Sequence, residues 1–270
     1  PHRIVDRRRS RPEVSMGERI LTESLHGGAV LHLLLNAPPG NILDITMITG
    51  LARTLAERGD DPHLKAVMIE GCGPHFSYGA SVQEHRPDRV AEMLGTFHAL
   101  FRQLAGLDRM LVAVVRGRCL GGGMELACFC HRVFVSPDAR LGQPEIHLGV
   151  LPPVASLILP RRAGQATADD LCLTGRTVDA RQAVAARIVD EVADDPRAAA
   201  DAWIEEHVLP KSAAALKHAV CAVRHAWNRE FFTDLADVER LYLDDLMRTE
   251  DAVEGIEAFI AKRPPKWKDR

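Results

Sequence analysis

The stretch GRCLGGGMELACF, Gly117–Phe129, decides how the chain is read. The run MLVAVVRG, Met110–Gly117, has the look of a buried strand, and three consecutive glycines follow it three residues later. A helix-favouring apolar run starts there at once. Glycine at a helix start costs about 1 kcal/mol relative to alanine. The first amides of a helix have no intrahelical partner and lie at the positive end of its dipole. Without side chains the backbone can approach an oxyanion or a phosphate closely. The run has neither the G-x-G-x-x-G spacing of a dinucleotide site nor the G-K-[ST] ending of a P-loop. Inside it lies a carboxylate, Glu125, among residues patterned for burial.

Outward from this point the pattern alternates strands and helices. RILTESLHGGAVLHLLLN, Arg19–Asn36, reads as two short strands joined at Gly27-Gly28. DITMITGLARTLAERGDD has helical periodicity and Asp44 as N-cap. LKAVMIEG is a buried strand, RPDRVAEMLGTFHALFRQLAGL a helix, and HRVFVS a strand after the glycine-led helix. Such repetition argues for parallel strands in an α/β layer architecture. From Pro196 to Lys262 the chain reads as almost all helix, with an apolar stripe at Leu235, Val238, Leu241, Tyr242 and Leu246. The expected organisation is a basic tail over 1–18, a core over 19–195 and a helical region over 196–270.

Two further stretches carry chemistry. GCGPHFSYGASVQEH, Gly71–His85, is a strand end opening into a small-residue loop with Gly79-Ala80 at its turn. One loop amide here and one at Gly122 can point at the same oxygen. Such a two-donor oxyanion hole contributes roughly 3–4 kcal/mol per donor to a developing negative charge. ARLGQPEIHLGVLPP, Ala139–Pro153, carries a second carboxylate, Glu145, in a short apolar turn. Burial raises carboxylate pKa values, and unequal environments separate an acid from a base. Taken singly, Glu125 also reads as a helix glutamate paired with an arginine, and Glu145 as an exposed turn residue.

Composition narrows the class. With 270 residues, 46% of them hydrophobic, the chain can bury a sizeable core. A net charge of -3 and a pI near 6.5 argue against a nucleic-acid binder. The basic start RIVDRRRSRP continues into polar residues and makes a poor signal peptide, so a solvated tail is expected there. No run reaches the roughly 18 apolar residues of a membrane span. The cysteines of LACFCHRV and LCLTG lie in apolar runs, as reduced core cysteines do in a cytoplasmic protein, and Cys128-x-Cys130 lacks a second pair for zinc. No metal is expected.

Together, HFSYGAS, GRCLGGGMELACFCHRVFVSPDARLGQPEIHLGVLP and the helical tail resemble the crotonase (enoyl-CoA hydratase/isomerase) superfamily. The resemblance covers the chain from about Glu18 to Lys268. It implies a crotonase (ClpP-like) spiral of ββα units with a C-terminal helical trimerisation region, assembled as a homotrimer or dimer of trimers. It implies an acyl-CoA thioester as substrate and no permanently bound cofactor. Carried over by motif, the oxyanion-hole amides fall on Ala80 and Gly122 and the catalytic glutamates on Glu125 and Glu145. Retention of both carboxylates favours addition or elimination of water. A non-catalytic acyl-CoA-binding scaffold would tolerate loss of either.

Some positions depart from the common hydratase pattern. Ser81 stands where an aspartate is usual, PVASLILP (Pro153–Pro160) replaces a glycine-rich stretch beside the acyl pocket, and NAPPGNILD differs at its start. APPGNILD, FSYGASVQEH and GVLPPVASLILP are similar to the cyclohexa-1,5-diene-1-carbonyl-CoA hydratases of anaerobic benzoyl-CoA degradation. A general 2-enoyl-CoA hydratase or isomerase is the alternative. Tyr78, Ser77 and Pro153 are the expected substrate-binding residues. His85 and His147 read as structural histidines more readily than as acid/base groups. The basic run Lys262, Arg263, Lys266 and Lys268 either reaches the CoA phosphates or is a solvated tail.

Overall fold

The computed structural model describes residues 18–270, so the expected basic tail lies, apart from Glu18, outside the described residues. In chain order the elements are β1 (Ile20–Leu25), β2 (Val30–Leu35), α1 (Ile45–Arg58), β3 (Ala66–Gly71), α2 (Val90–Gly106), β4 (Met110–Val115), β5 (Arg118–Leu120), α3 (Gly122–Phe129), β6 (Arg132–Val135), β7 (Arg140–Gly142), α4 (Ala155–Ala163), α5 (Gln165–Thr174), β8 (Thr177–Asp179), α6 (Ala180–Ala185), β9 (Glu191–Val192), α7 (Pro196–His207), α8 (Ala213–Arg240) and α9 (Glu250–Ile260). The larger sheet runs β1-β2-β3-β4-β6-β9. Only its β1–β2 hairpin is antiparallel.

Burial on both faces explains the near-continuous apolar strands. On one face Leu33, Val67, Ile69, Ala113 and Val133 pack with α1, α2 and α3. The alternate residues Val30, Ala66, Met68, Val112 and Phe134 pack under Ala200 and Ile204 of α7. Thus α7, assigned from sequence to the C-terminal helical region, is a layer of the core. Asp44 caps α1 as expected, its Oδ1 accepting from the Met47 amide at 2.7 Å.

A second sheet, β5-β7-β8, has no counterpart in the sequence reading. Each of its strands is three residues long, too short to show a period. Beyond α7, the long helix α8 buries only Val220, Phe231 and Leu235. Leu241, read with the apolar stripe, is exposed, whereas Tyr242 is fully buried. Six residues past Leu235, Leu241 sits well round the helix from the buried face. Among the described residues no helix is long and apolar enough to cross a membrane.

Candidate active site

The glycine run works as a strand-to-helix turn. Gly121 adopts φ +50, a conformation L side chains rarely take, and its amide donates to the Gly142 carbonyl at 2.9 Å. That bond ties the start of α3 to β7, which leads into the turn carrying Glu145. A Cβ on Gly121 would lie 2.5 Å from Oε1 of Glu145. The missing side chain therefore makes room for the carboxylate. A Cβ on Gly123 would collide with Ser77, so this glycine serves packing of α3 against the neighbouring loop.

Gly122 opens α3, and its amide has no intrahelical acceptor. A Cβ on Gly122 would come within 3.3 Å of the Ala80 amide nitrogen, and one on Gly79 within 3.2 Å of the Gly122 nitrogen. The two amides expected from sequence are therefore neighbours. The Ala80 loop is held by bonds that leave its amide unused: Leu43 N to Gly79 O at 2.9 Å, Leu120 N to Ser77 O at 3.0 Å and Gly79 N to Ser77 Oγ at 3.0 Å.

Ser77 lies inside this loop. It is fully buried, and its hydroxyl donates to the Asn41 carbonyl at 2.8 Å while accepting from Gly79. Its hydroxyl is spent within the loop, and the residue is not among those that line the cleft. Tyr78 is exposed at a cleft of about 530 Å³ and packs beside His75. Pro153 is buried and, like Gly122 and Glu125, is not among the residues that line that cleft. It precedes α4, whose first amide bonds Glu125.

Glu125 is 3% exposed, and its Oε1 accepts from the Ala155 amide at 2.7 Å. Burial raises its pKa to about 7, partly offset by the amides of Ala155 and Val154 at the start of α4. Glu145 sits on a 3-10 turn, Pro144–Leu148, with Oε2 buried and unpartnered among the described residues. Burial and then the nearby Glu125 charge push its pKa well up. The structure thus brings the two carboxylates into one electrostatic unit. Both carboxyls are raised, Glu145 also by the charge of Glu125, so the two sit in unequal environments, as an acid and a base do.

The cleft is lined by Tyr78, Ala80, His85, Gly121, Glu145 and Arg118, among others. His85 is buried, and its Nδ1 lies 2.8 Å from the Ser81 carbonyl. Burial lowers its pKa. The neutral ring must then carry its proton on Nδ1 to donate to that carbonyl. His147 is exposed beside Gly175 at the cleft edge. The basic C-terminal run is pinned to α9: Arg263 forks onto Glu254 at 2.6 and 2.8 Å, and Lys268 Nζ meets Glu250 at 2.5 Å. Arg263 still lines the cleft.

Two features of this region left no signal in the sequence. The Ala155 amide is a backbone donor, which leaves no mark in side-chain pattern. Tyr242 reads as one more apolar stripe position, yet its hydroxyl is buried without a partner among the described residues. All six cysteines are free thiols, with Cys119, Cys128 and Cys130 buried. Among the described residues no three His, Cys, Asp or Glu are grouped to hold a metal ion.

The sequence matches the family described as enoyl-CoA hydratase/isomerase over residues 26–270. It is 44% identical over 243 residues to the cyclohexa-1,5-dienecarbonyl-CoA hydratase of Thauera aromatica, covering 90% of this chain and 94% of that protein. It is 34% identical over 261 residues to a probable enoyl-CoA hydratase of Rhizobium meliloti, covering 94% and 99%. The crystal structure of an enoyl-CoA hydratase from Mycobacterium avium subsp. paratuberculosis superposes with a TM-score of 0.81 at 27% identity, covering 93% of this chain and 99% of that one.

Proposed function

We propose that this chain, which belongs to the enoyl-CoA hydratase/isomerase family, adds water to a cyclic dienoyl-CoA thioester. The substrate in this reading is cyclohexa-1,5-diene-1-carbonyl-CoA and the product 6-hydroxycyclohex-1-ene-1-carbonyl-CoA. The family relatives carry the names of hydratases and dehydratases, which are hydro-lyases. The observation that carries hydration is the pairing of the buried Glu125 with the half-buried Glu145, both raised, beside two adjacent backbone amides. The 44% identical relative supports the cyclic substrate.

The thioester oxygen lies between the amides of Ala80 and Gly122. Glu125 takes a proton from a water, whose oxygen bonds to the ring carbon β to the carbonyl. The electron pair of that double bond moves toward the carbonyl and forms an enolate held by the two amides. A second double bond in the ring extends this enolate, so Glu145 protonates the far end of the diene. The second ring double bond shifts accordingly, and one water has been gained. A proton passing from Glu125 to Glu145 restores both groups. Coenzyme A enters only as part of the substrate, and no resident cofactor or metal takes part. The same reading has the protein acting in the cytoplasm as a homotrimer or dimer of trimers.

The test is competitive. Purified protein receives equal amounts of the cyclic dienoyl-CoA, crotonyl-CoA and a longer 2-enoyl-CoA, and the esters are followed by mass spectrometry. Fast gain of one water on the cyclic diene, with crotonyl-CoA almost untouched, is the expected result. Preferential hydration of the linear esters would replace it with a general 2-enoyl-CoA hydratase, the reading favoured by the Rhizobium relative. No mass change in any ester points to an isomerase or to a non-catalytic acyl-CoA-binding scaffold.

A further inference from the structure

The Ala80 loop runs into a 3-10 turn, Val82–His85, which is anchored on both sides of its last residue. Glu84 Oε2 accepts from the Ile45 amide at the start of α1 at 3.1 Å. The Arg86 guanidinium forks onto Glu257 of α9, Nε to Oε1 at 2.8 Å and Nη2 to Oε2 at 3.2 Å. Between these anchors His85 keeps 9% of its surface exposed and lines the same cleft as Ala80, Gly121 and Glu145. Its Nδ1 is committed to the Ser81 carbonyl at 2.8 Å. Burial disfavours the charged ring, so Nε2 carries a lone pair and can only accept. Nε2 has no hydrogen-bond partner among the described residues. It is also not sealed from solvent, as the unpartnered Nε2 atoms of His98 and His131 are. Val82, Leu120 and Leu148 on the same cleft wall offer it no donor from their side chains. Water satisfies such an acceptor while the cleft is open. A ligand that displaces the water must supply a donor in its place.

We propose that His85 Nε2 accepts a hydrogen bond from the oxygen that enters as water and remains as the ring hydroxyl. The inference rests on the hydratase reading above. The water brings two O–H bonds. One gives its proton to Glu125, and the other survives in the product and needs an acceptor throughout. The ring of the dienoyl substrate has no O–H or N–H of its own, so at the acyl end this oxygen is the donor available. A neutral imidazole suits the task because it adds no third charge beside two raised carboxyls. Held between two anchored residues, it is oriented before the ligand arrives, which lowers the entropic cost of the bond. Proton transfer stays with Glu125 and Glu145.

The experiment measures binding of two CoA esters to the purified protein by calorimetry. One is 6-hydroxycyclohex-1-ene-1-carbonyl-CoA. The other is cyclohex-1-ene-1-carbonyl-CoA, the same ring without the hydroxyl. The quantity read is the ratio of their Kd values, since both esters carry the same coenzyme A arm and a general loosening of the turn affects them alike. The wild type is expected to favour the hydroxy ester. His85→Leu, which cannot accept, should reduce that preference about tenfold, the loss of one neutral hydrogen bond. His85→Gln, whose amide oxygen can accept from a similar reach, should keep most of it. Equal weakening of both esters in His85→Leu would mean a structural role or a contact with the coenzyme A arm, and overturns the proposal. An unchanged ratio in His85→Leu overturns it too, as does an equal loss of preference in both variants. A wild type with no preference for the hydroxy ester overturns it without recourse to any variant. If the wild type hydrates the cyclic diene in any of these cases, the functional reading stands and this inference alone falls. A wild type that binds neither ester removes the functional reading and this inference with it.

Discussion

The Ala155 amide donates to Glu125 Oε1 at 2.7 Å, which joins the first residue of α4 to the carboxylate inside α3. The bond fixes one carboxylate oxygen. It also favours the ionised form, against the burial that raises the pKa to about 7. The segment Pro153–Pro160, in which the sequence departs most from a glycine-rich pattern, thus acts on the chemistry through its backbone.

The pH dependence follows from this balance. Glu125 must be ionised to accept a proton and Glu145 protonated to give one. The first condition sets an acidic limb in kcat/KM near pH 7, and the second a basic limb above it, since Glu145 is pushed well up. A bell with its maximum on the alkaline side of 7 is expected. A profile flat from pH 5.5 to 9, measured by the absorbance of the dienoyl thioester, would show that these groups do not titrate in the reaction.

Removing the charges separates activity from stability. Glu125→Gln and Glu145→Gln should each lower kcat by 100-fold or more, the range of a lost general acid or base, with Kd for a CoA ester nearly unchanged. The glutamine at 125 can still accept from Ala155. Glu125 has a raised folded-state pKa, so the wild type loses stability as pH rises from about 4.5 through about 7. Glu125→Gln should therefore be more stable than wild type above pH 8, by about 3 kcal/mol at most, and equal to it below pH 4.5. Urea titrations at pH 4.5 and 8.5 measure the difference. A variant equally stable at both would mean that the carboxylate is not desolvated.

Ser77 distinguishes loop construction from ligand contact. Ser77→Ala leaves the Gly79 amide without its acceptor and removes the bond to the Asn41 carbonyl. The expected cost is about 1–3 kcal/mol, with KM for the thioester within about twofold of wild type. A rise in KM without loss of stability would restore Ser77 to the substrate.

Where a residue's role depends on its immediate neighbours in the chain, the sequence was legible. The three glycines, Glu125 and the Asp44 cap are of this kind, as are the strands β3 and β4, whose continuous apolar runs reflect burial on both faces. What escaped depends on distant partners. The strands β5, β7 and β8 exist only through pairing with one another across 22 to 39 residues of chain. The burial of Ser77 follows from Asn41, whose amide Nδ2 binds three carbonyls of that loop. Tyr242 shares helical spacing with core residues and differs from them by one oxygen.

Gly121 and Gly123 differ by two positions and should fail in different ways. Gly121→Ala meets positive φ and the Glu145 carboxylate at once. The residue can relieve the clash only by displacing Oε1 of Glu145 or by turning the start of α3, and both movements disturb the reacting groups. Gly123→Ala meets the Cβ of Ser77, with no positive φ and no carboxylate in the way. Its cost is overpacking of a buried contact, about 1–3 kcal/mol. The expected result is that Gly121→Ala loses at least 100-fold in kcat, as a misplaced catalytic group does, and shifts the basic limb of the pH profile. Gly123→Ala should lower Tm and leave that limb in place. Paired measurements of kcat against pH and of thermal unfolding on both variants decide the matter. If Gly121→Ala kept its basic limb and lost only stability, its missing side chain would serve the turn and not the space occupied by Glu145.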